Sequence, residues 1–355
     1  TEYQYNDQKK KDSCRSMLWE RMVTHSIRPG FMDGFLMPYH QALEKMEENP
    51  DFDPSPLVAF APADRSDEFS YATEHVTPDG ALSSLLVVAD ALKNAQQLLK
   101  GDFSKQIEWI DNQITRLWKQ RGPCPGLGAV LGAMGIPLGS FVANEIVEKA
   151  GPESDPWPLV EKMLESPGSI LSKNLAIRVD SVVGKGWKKR IETRKAFIRL
   201  LSRFDMTLDQ ATMLYSSENR EAKRIEMGDE EFVENPYRLY EVTRLLPMGI
   251  AVSVIDRGVF PEEPIRSLVP LPEPSALKSG IDLRRLRALT IERLEFHASQ
   301  GHTLQPRKKI IAEIRELPLD PKCDVTADTM DVAEDELFDG EILRIRLADK
   351  SDGYQ

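Results

Sequence analysis

Proline and glycine cut this chain at short intervals, so no hydrophobic pattern runs far before it is broken. Pro50, Pro54 and Pro56 close one stretch, Pro152, Pro156 and Pro158 mark a second break, and Pro261, Pro264, Pro270, Pro272 and Pro274 hold a third segment extended or in a loop. A proline inside a helix removes a backbone donor and clashes with the preceding turn, so each cluster is read as a helix boundary. Short amphipathic helices fit between the breaks. Residues 81–99 carry Leu82, Leu85, Leu86, Ala89 and Leu92 on one face, and residues 105–120 carry Ile107, Ile110, Ile114 and Trp118 in register. Residues 283–299 repeat Leu286, Leu289, Thr290, Arg293, Leu294 and His297 at spacings of three and four, and 307–316 form another such helix. Helical stretches are also expected over 16–24, 39–48, 173–215 and 237–245, and from a Gly/Pro turn at 125–128 to about 149. Residues 341–347 alternate with period two and predict one strand. The expected fold class is mainly α with a short C-terminal β element.

At 355 residues the chain exceeds one typical domain and can bury a core without disulfide staples. The expected division is 1–100, 101–170, 171–262 and 275–355. No apolar run is long enough for a transmembrane helix, and the N-terminus lacks the apolar stretch of a signal peptide. Cys14, Cys124 and Cys323 are odd in number and far apart, which argues against a disulfide scaffold or a cysteine-built zinc site. The expected setting is a reducing cytoplasm, with no membrane partner.

The net charge of −11 conceals segregation along the chain. Residues 173–203 hold ten basic residues (Lys173, Arg178, Lys185, Lys188, Lys189, Arg190, Arg194, Lys195, Arg199 and Arg203) against Asp180 and Glu192, a balance of +8. Residues 320–352 hold eleven acidic and four basic residues, a balance of −7. Such a basic stretch, with few acidic neighbours in sequence, repels itself unless an anion is bound. Lys185, Lys188, Lys189, Arg190, Arg194 and Lys195 are candidate phosphate contacts beside Gly186, and Trp187 is a candidate platform for an unpaired base. A solvated helix face is the plainer reading. The turn Pro125, Gly126, Leu127, Gly128 lies between two helical stretches. Such a turn leaves backbone N–H groups free for a phosphate where no Cβ obstructs the approach, or it simply packs two helices together.

Other chemistries find less support. The Walker pattern, GxxxxGK followed by Ser or Thr, is absent, and the run Val183 to Lys188 lacks both its spacing and its hydroxyl. The five histidines form no HxxxH or HExxH pair. His25, Asp33, His40, Glu74 and His75 are the ligands that a metal-dependent nuclease in the first hundred residues would use. Cys14 and Cys124 have no paired histidine at recognisable spacing and read as structural.

Asn235-Pro236-Tyr237-Arg238-Leu239, and then Gly301-His302-Thr303-Leu304 with Pro306, carry a resemblance. Over about 199–316, roughly a third of the chain, the sequence resembles the region upstream of the motor in RecD-type DNA helicases of the exonuclease V alpha-subunit class. The resemblance implies helix-hairpin-helix-type helical modules followed by a small helical or winged module. It also implies a non-motor, DNA-binding region of an ATP-dependent helicase in DNA repair or recombination, with single-stranded or forked DNA as partner. ATP and magnesium would belong to a motor domain, and none of its motifs lies in this sequence. The chain is therefore expected to be a piece of a longer protein, with no cofactor and no catalytic residue of its own. Where the family carries a Gly-Ile-Gly type of turn, this chain has Leu246-Pro247-Met248-Gly249-Ile250, with one glycine. By their own chemistry Asn235 and Pro236 read as a helix start, Tyr237 and Leu239 as core anchors, and His302 as a helix-end residue. The alternative of a different class is an interaction scaffold. In it the acidic C-terminal segment and the proline-rich stretch take a protein partner, and the basic stretch pairs with the acidic one.

Overall fold

The computed structural model describes residues 34–60, 76–99, 101–338 and 340–355. It is mainly helical, with nineteen α-helices among the described residues and a small antiparallel three-stranded sheet near the C-terminus. The chain divides into two compact units, Thr1–Trp118 and Lys119–Gln355. The expected boundaries at 170 and 262 both fall within the second unit, and the expected helix at 16–24 lies outside the described residues.

In the first unit, β1 (Gly34–Leu36) pairs antiparallel with β2 (Val58–Phe60), with Phe35 opposite Ala59. Helix Tyr39–Glu48 lies between them in sequence. Helix Pro78–Leu98 starts at Thr77, whose hydroxyl accepts from the Gly80 N–H at 3.1 Å. Pro78 sits in its first turn, where a missing N–H loses no helical bond. Leu82, Ala89 and Leu92 of its expected inner face are buried. Helix Ser104–Arg121 follows, within a residue of the predicted span at each end, and its last three residues belong to the second unit.

One hydrophobic core runs through the second unit, from Cys124 to Tyr354. Burial pushes the Cys124 thiol up, and it pushes that of Cys323 up to about 11, which favours the protonated, unreactive form of both. The single helix expected from the 125–128 turn to 149 is two helices, Leu127–Ala133 and Gly139–Ala150. Between them Gly135 (φ 92°) and Leu138 (φ 57°) take left-handed backbone that ends one helix and turns the chain into the next. The long helical region expected at 173–215 is four helices, Lys173–Ala176, Ser181–Lys189, Glu192–Leu201 and Leu208–Tyr215. Local caps account for the divisions. Asp180 accepts from Val182 N (2.9 Å), and Thr207 forms a capping box with Gln210. The proline-rich segment contains a short helix, Glu263–Leu268, with Pro264 in its first turn, where proline is tolerated.

Helices Leu283–Ser299 and Arg307–Glu316 match their predicted spans. Gly301 (φ 87°) closes the first of them, and the backbone N–H of His302 donates to His297 O at 3.0 Å. The sheet joins β3 (Gln305–Pro306), β4 (Arg344–Arg346) and β5 (Asp352–Tyr354) in the order β3-β5-β4. The predicted strand at 341–347 is therefore shorter than its alternating pattern.

Periodicity did not foretell the charged core. Arg285 and Arg287 are fully buried. Arg285 Nε donates to Asp256 Oδ1 (2.7 Å) and Nη2 to Oδ2 (2.8 Å), and its other donors reach Gly280 O and Pro321 O. The Tyr237 hydroxyl donates to the same Asp256 Oδ1 at 2.6 Å. Arg287 Nε lies 3.1 and 3.2 Å from the two carboxylate oxygens of Glu241, which is also buried. Tyr237 and Leu239 are thus the core anchors that their place after Asn235-Pro236 suggested, and the Asn235 side chain accepts from Tyr237 N at 3.1 Å.

Burial, reinforced by Asp256, Glu295 and Glu334 respectively, pushes the phenols of Tyr237, Tyr240 and Tyr354 above their ordinary value. In the unfolded chain a tyrosine ionises near pH ~10. The folded state holds these three protonated beyond that, so their stabilisation is intact below about pH 10 and is lost as pH rises further. In an alkaline titration, part of the tyrosinate absorbance should appear only together with loss of helical circular dichroism. Complete tyrosine ionisation with the helices intact would contradict this reading.

Candidate nucleic-acid interface

Helix Ser181–Lys189 presents two different faces. Inward, Gly184 and Trp187 are buried and Val183 packs partly against the core. A Cβ at Gly184 would stand 2.1 Å from the carbonyl oxygen of Leu164, so only glycine lets this helix lie so close to helix Trp157–Glu165. Trp187 stacks on Trp157, with ring centroids 5.4 Å apart and planes 18° off parallel. Outward, Val182 (66 % exposed), Lys185 and Lys189 recur at spacings of three and four, with Gly186 beside them. Two further aliphatics flank the helix in sequence, Ile177 at 82 % and Ile191 at 72 % exposure.

The ten basic residues of the stretch separate into distinct environments. Lys188 pairs with Glu165 (2.9 Å), Arg194 with Asp229 (3.0 Å), Lys195 with Glu192 (2.7 Å), and Arg199 with Glu161. Arg190 lies over the rings of Trp187 and Tyr215 (5.9 and 5.7 Å) and donates to the Tyr215 hydroxyl. Arg203 is buried and bonds to Gly258 O and Val269 O, each at 3.0 Å. The other four, Lys173, Arg178, Lys185 and Lys189, are exposed and have no ion-pair partner among the described residues. Their charges are therefore the ones left to attract an outside anion.

Several sequence-predicted contacts thus have a structural occupation. Trp187 has its ring in the core and is not placed to receive a base. Arg194 and Lys195 are mostly covered and paired. Acidic partners, scarce nearby in sequence, come from Glu161, Glu165 and Asp229 through the fold. Among the described residues Asp331, Glu334 and Asp352 of the acidic C-terminal segment pair with Arg307, Arg344 and Arg346.

The turn Pro125 to Gly128 is packed. Gly126 and Leu127 are buried, and Gly126 N donates to Ser202 O at 2.9 Å. A Cβ on Gly126 would meet Phe204 O at 2.0 Å, and one on Gly128 would meet Ser140 Cα at 2.8 Å. These glycines admit neighbouring protein backbone, the packing role weighed for this turn. The turn docks at the C-terminal end of helix Glu192–Leu201, whereas Lys185 and Lys189 precede that helix's N-terminus. Through the core the two stretches are linked, since Trp187 stacks on Trp157, whose Nε1 donates to the Ser202 hydroxyl at 2.9 Å, while Lys185 and Lys189 stay on the exposed face of their helix.

Of the nuclease candidates, His25, Asp33, Glu74 and His75 lie outside the described residues, and so does Cys14. His40 is exposed in helix Tyr39–Glu48. No group of three or more His, Cys, Asp or Glu able to hold a metal occurs among the described residues. His297 bonds to Glu313 at 2.7 Å. No helix among the described residues is long and apolar enough to cross a membrane.

Compared with known proteins, the chain matches no family model, no curated protein and no solved structure. The candidate interface rests on its own geometry.

Proposed function

We propose that this chain is a non-motor region of a RecD-like, ATP-dependent helicase, and that it grips the phosphate backbone of single-stranded or forked DNA. One observation carries the reading: four exposed cations without partners, Lys173, Arg178, Lys185 and Lys189, stand close in sequence to the exposed aliphatics Ile177, Val182 and Ile191. Cations of this kind neutralise phosphates and release counterions without reading sequence. The aliphatics offer contact to sugars and to the faces of unpaired bases, which favours a single strand over a duplex. Helix-hairpin-helix-type modules are the finer fold reading. It is supported by successive helix pairs joined by tight turns: Leu127–Ala133 with Gly139–Ala150, Glu192–Leu201 with Leu208–Tyr215, and Arg238–Thr243 with Val252–Val259. The contact residues are thus Lys185, Lys189, Lys173 and Arg178, with Lys188 at the rim, and motor, ATP and magnesium lie in sequence outside this chain.

The test is fluorescence anisotropy of labelled single-stranded DNA against the full chain and a Lys185→Glu/Lys189→Glu variant. The variant should bind at least tenfold more weakly at low salt, equally for DNAs of different sequence. Equal affinity of the two proteins would overturn the assignment.

A further inference from the structure

An open groove of about 680 Å³ lies on the C-terminal part of the second unit, away in sequence from the basic helix. One wall is helix Ala327–Glu336 and the other is the segment 279–284. Its apolar strip is Ile281, Leu283, Val332 and Leu337, of which Val332 is 44 % and Ile281 36 % exposed.

The unpaired charges around the strip have one sign. Asp328, Val332 and Glu336 recur every four residues along one face of the helix, which sets the two carboxylates about 12 Å apart with the valine midway. Neither Asp328 nor Glu336 has an ion-pair partner among the described residues, in contrast to Asp331 and Glu334 of the same helix. Glu336 also sits in the last helical turn, where the helix dipole disfavours a negative charge. The groove's single lining cation, Arg284, cannot compensate them. Its Nε and Nη2 bond to both oxygens of Asp282, and its remaining N–H groups go to Glu234 O, Pro274 O and Ala276 O, so all five donors are spent. Arg287 caps this helix at Leu337 O, but it is buried and committed to Glu241.

We infer that this groove docks a short basic peptide of a protein partner, with one apolar side chain lying on Val332 and Ile281 between two lysines or arginines that meet Asp328 and Glu336. In an extended peptide at about 3.3 Å per residue, cations four positions apart span the 12 Å between the carboxylates. The charge pattern excludes nucleic acid as the occupant, since phosphates would face the uncompensated carboxylates. This docking is independent of the phosphate-gripping surface and stands or falls separately.

The probe is a fluorescently labelled heptapeptide with leucine at its centre and lysine two positions to each side, titrated against the full chain by anisotropy. It should bind saturably at low salt. Asp328→Lys/Glu336→Lys and, separately, Val332→Ser should each weaken it at least tenfold while leaving the helical circular dichroism unchanged. Replacing the two lysines of the peptide by glutamate should abolish binding, and Lys185→Glu/Lys189→Glu in the protein should not change it. Absence of saturable binding by the lysine peptide, or equal binding by the Asp328→Lys/Glu336→Lys and Val332→Ser variants, would overturn the proposal.

Discussion

Asp256→Ala should destabilise the second unit by about 3–5 kcal/mol, the cost of leaving a buried charge without its partner. For a unit of this size that corresponds to a fall in Tm of roughly 6–20 °C. The cause is specific. Arg285 is fully buried, and two of its five donors are aimed at the Asp256 carboxylate. Removing the carboxylate also strips the Tyr237 hydroxyl of its acceptor. Water cannot substitute cheaply in a core that joins helices Val252–Val259 and Leu283–Ser299. The double variant Arg285→Met/Asp256→Leu, which removes both charges and keeps the volume, should recover much of the loss. Thermal unfolding of the two variants decides the matter. A loss below about 1 kcal/mol for Asp256→Ala would mean that the pair is no strut of this fold.

Two glycines separated by one residue should respond with opposite signs. Gly184→Ala places a methyl against the backbone carbonyl of Leu164, which cannot swing aside as a side chain would. Overpacking of this kind costs about 1–3 kcal/mol. It also pushes apart the Trp157 and Trp187 stack and displaces the helix that carries Lys185 and Lys189, so DNA affinity should fall with stability. Gly186→Ala, by contrast, meets nothing within 4 Å. In a helix interior it should stabilise by up to about 1 kcal/mol, with DNA affinity unchanged. Both variants are read by chemical denaturation and by anisotropy. Equal effects at the two positions would show that the Ser181–Lys189 helix does not present these two faces.

Local pattern made much of this legible. Leu283–Ser299 was visible because its apolar residues recur at helical spacing and Gly301 ends it. The helix expected over 81–99 was visible from Leu82, Ala89 and Leu92, and it starts three residues earlier because Thr77 caps it and Pro78 fits its first turn. Division of the long helical stretches was less visible, since Leu138 and Gly135 take left-handed backbone within a run that otherwise reads as helix. The buried Arg285 and Arg287 escaped because their partners, Asp256 and Glu241, are 29 and 46 residues away, and hydrophobic periodicity assigns arginine to the surface. Trp187 was misplaced by its neighbours. Lysines on either side suggested an exposed aromatic, yet its helical phase groups it with Val183 and Gly184, on the face opposite Lys185 and Lys189. The free cations were hidden within the +8 stretch for a related reason. Which charges remain unpaired depends on Glu161, Glu165 and Asp229, whose approach only the fold decides.

The salt dependence of DNA binding tests the central claim most directly. If Lys173, Arg178, Lys185 and Lys189 each neutralise one phosphate of a single strand, the logarithm of affinity should fall with the logarithm of salt at a slope of about −3. In the Lys185→Glu/Lys189→Glu variant the slope should shrink to about −1.4 as well as the affinity falling. A steep slope that halves in the variant is the predicted result. Salt-independent binding, or the same slope in both proteins, would contradict the assignment of this face as the phosphate grip.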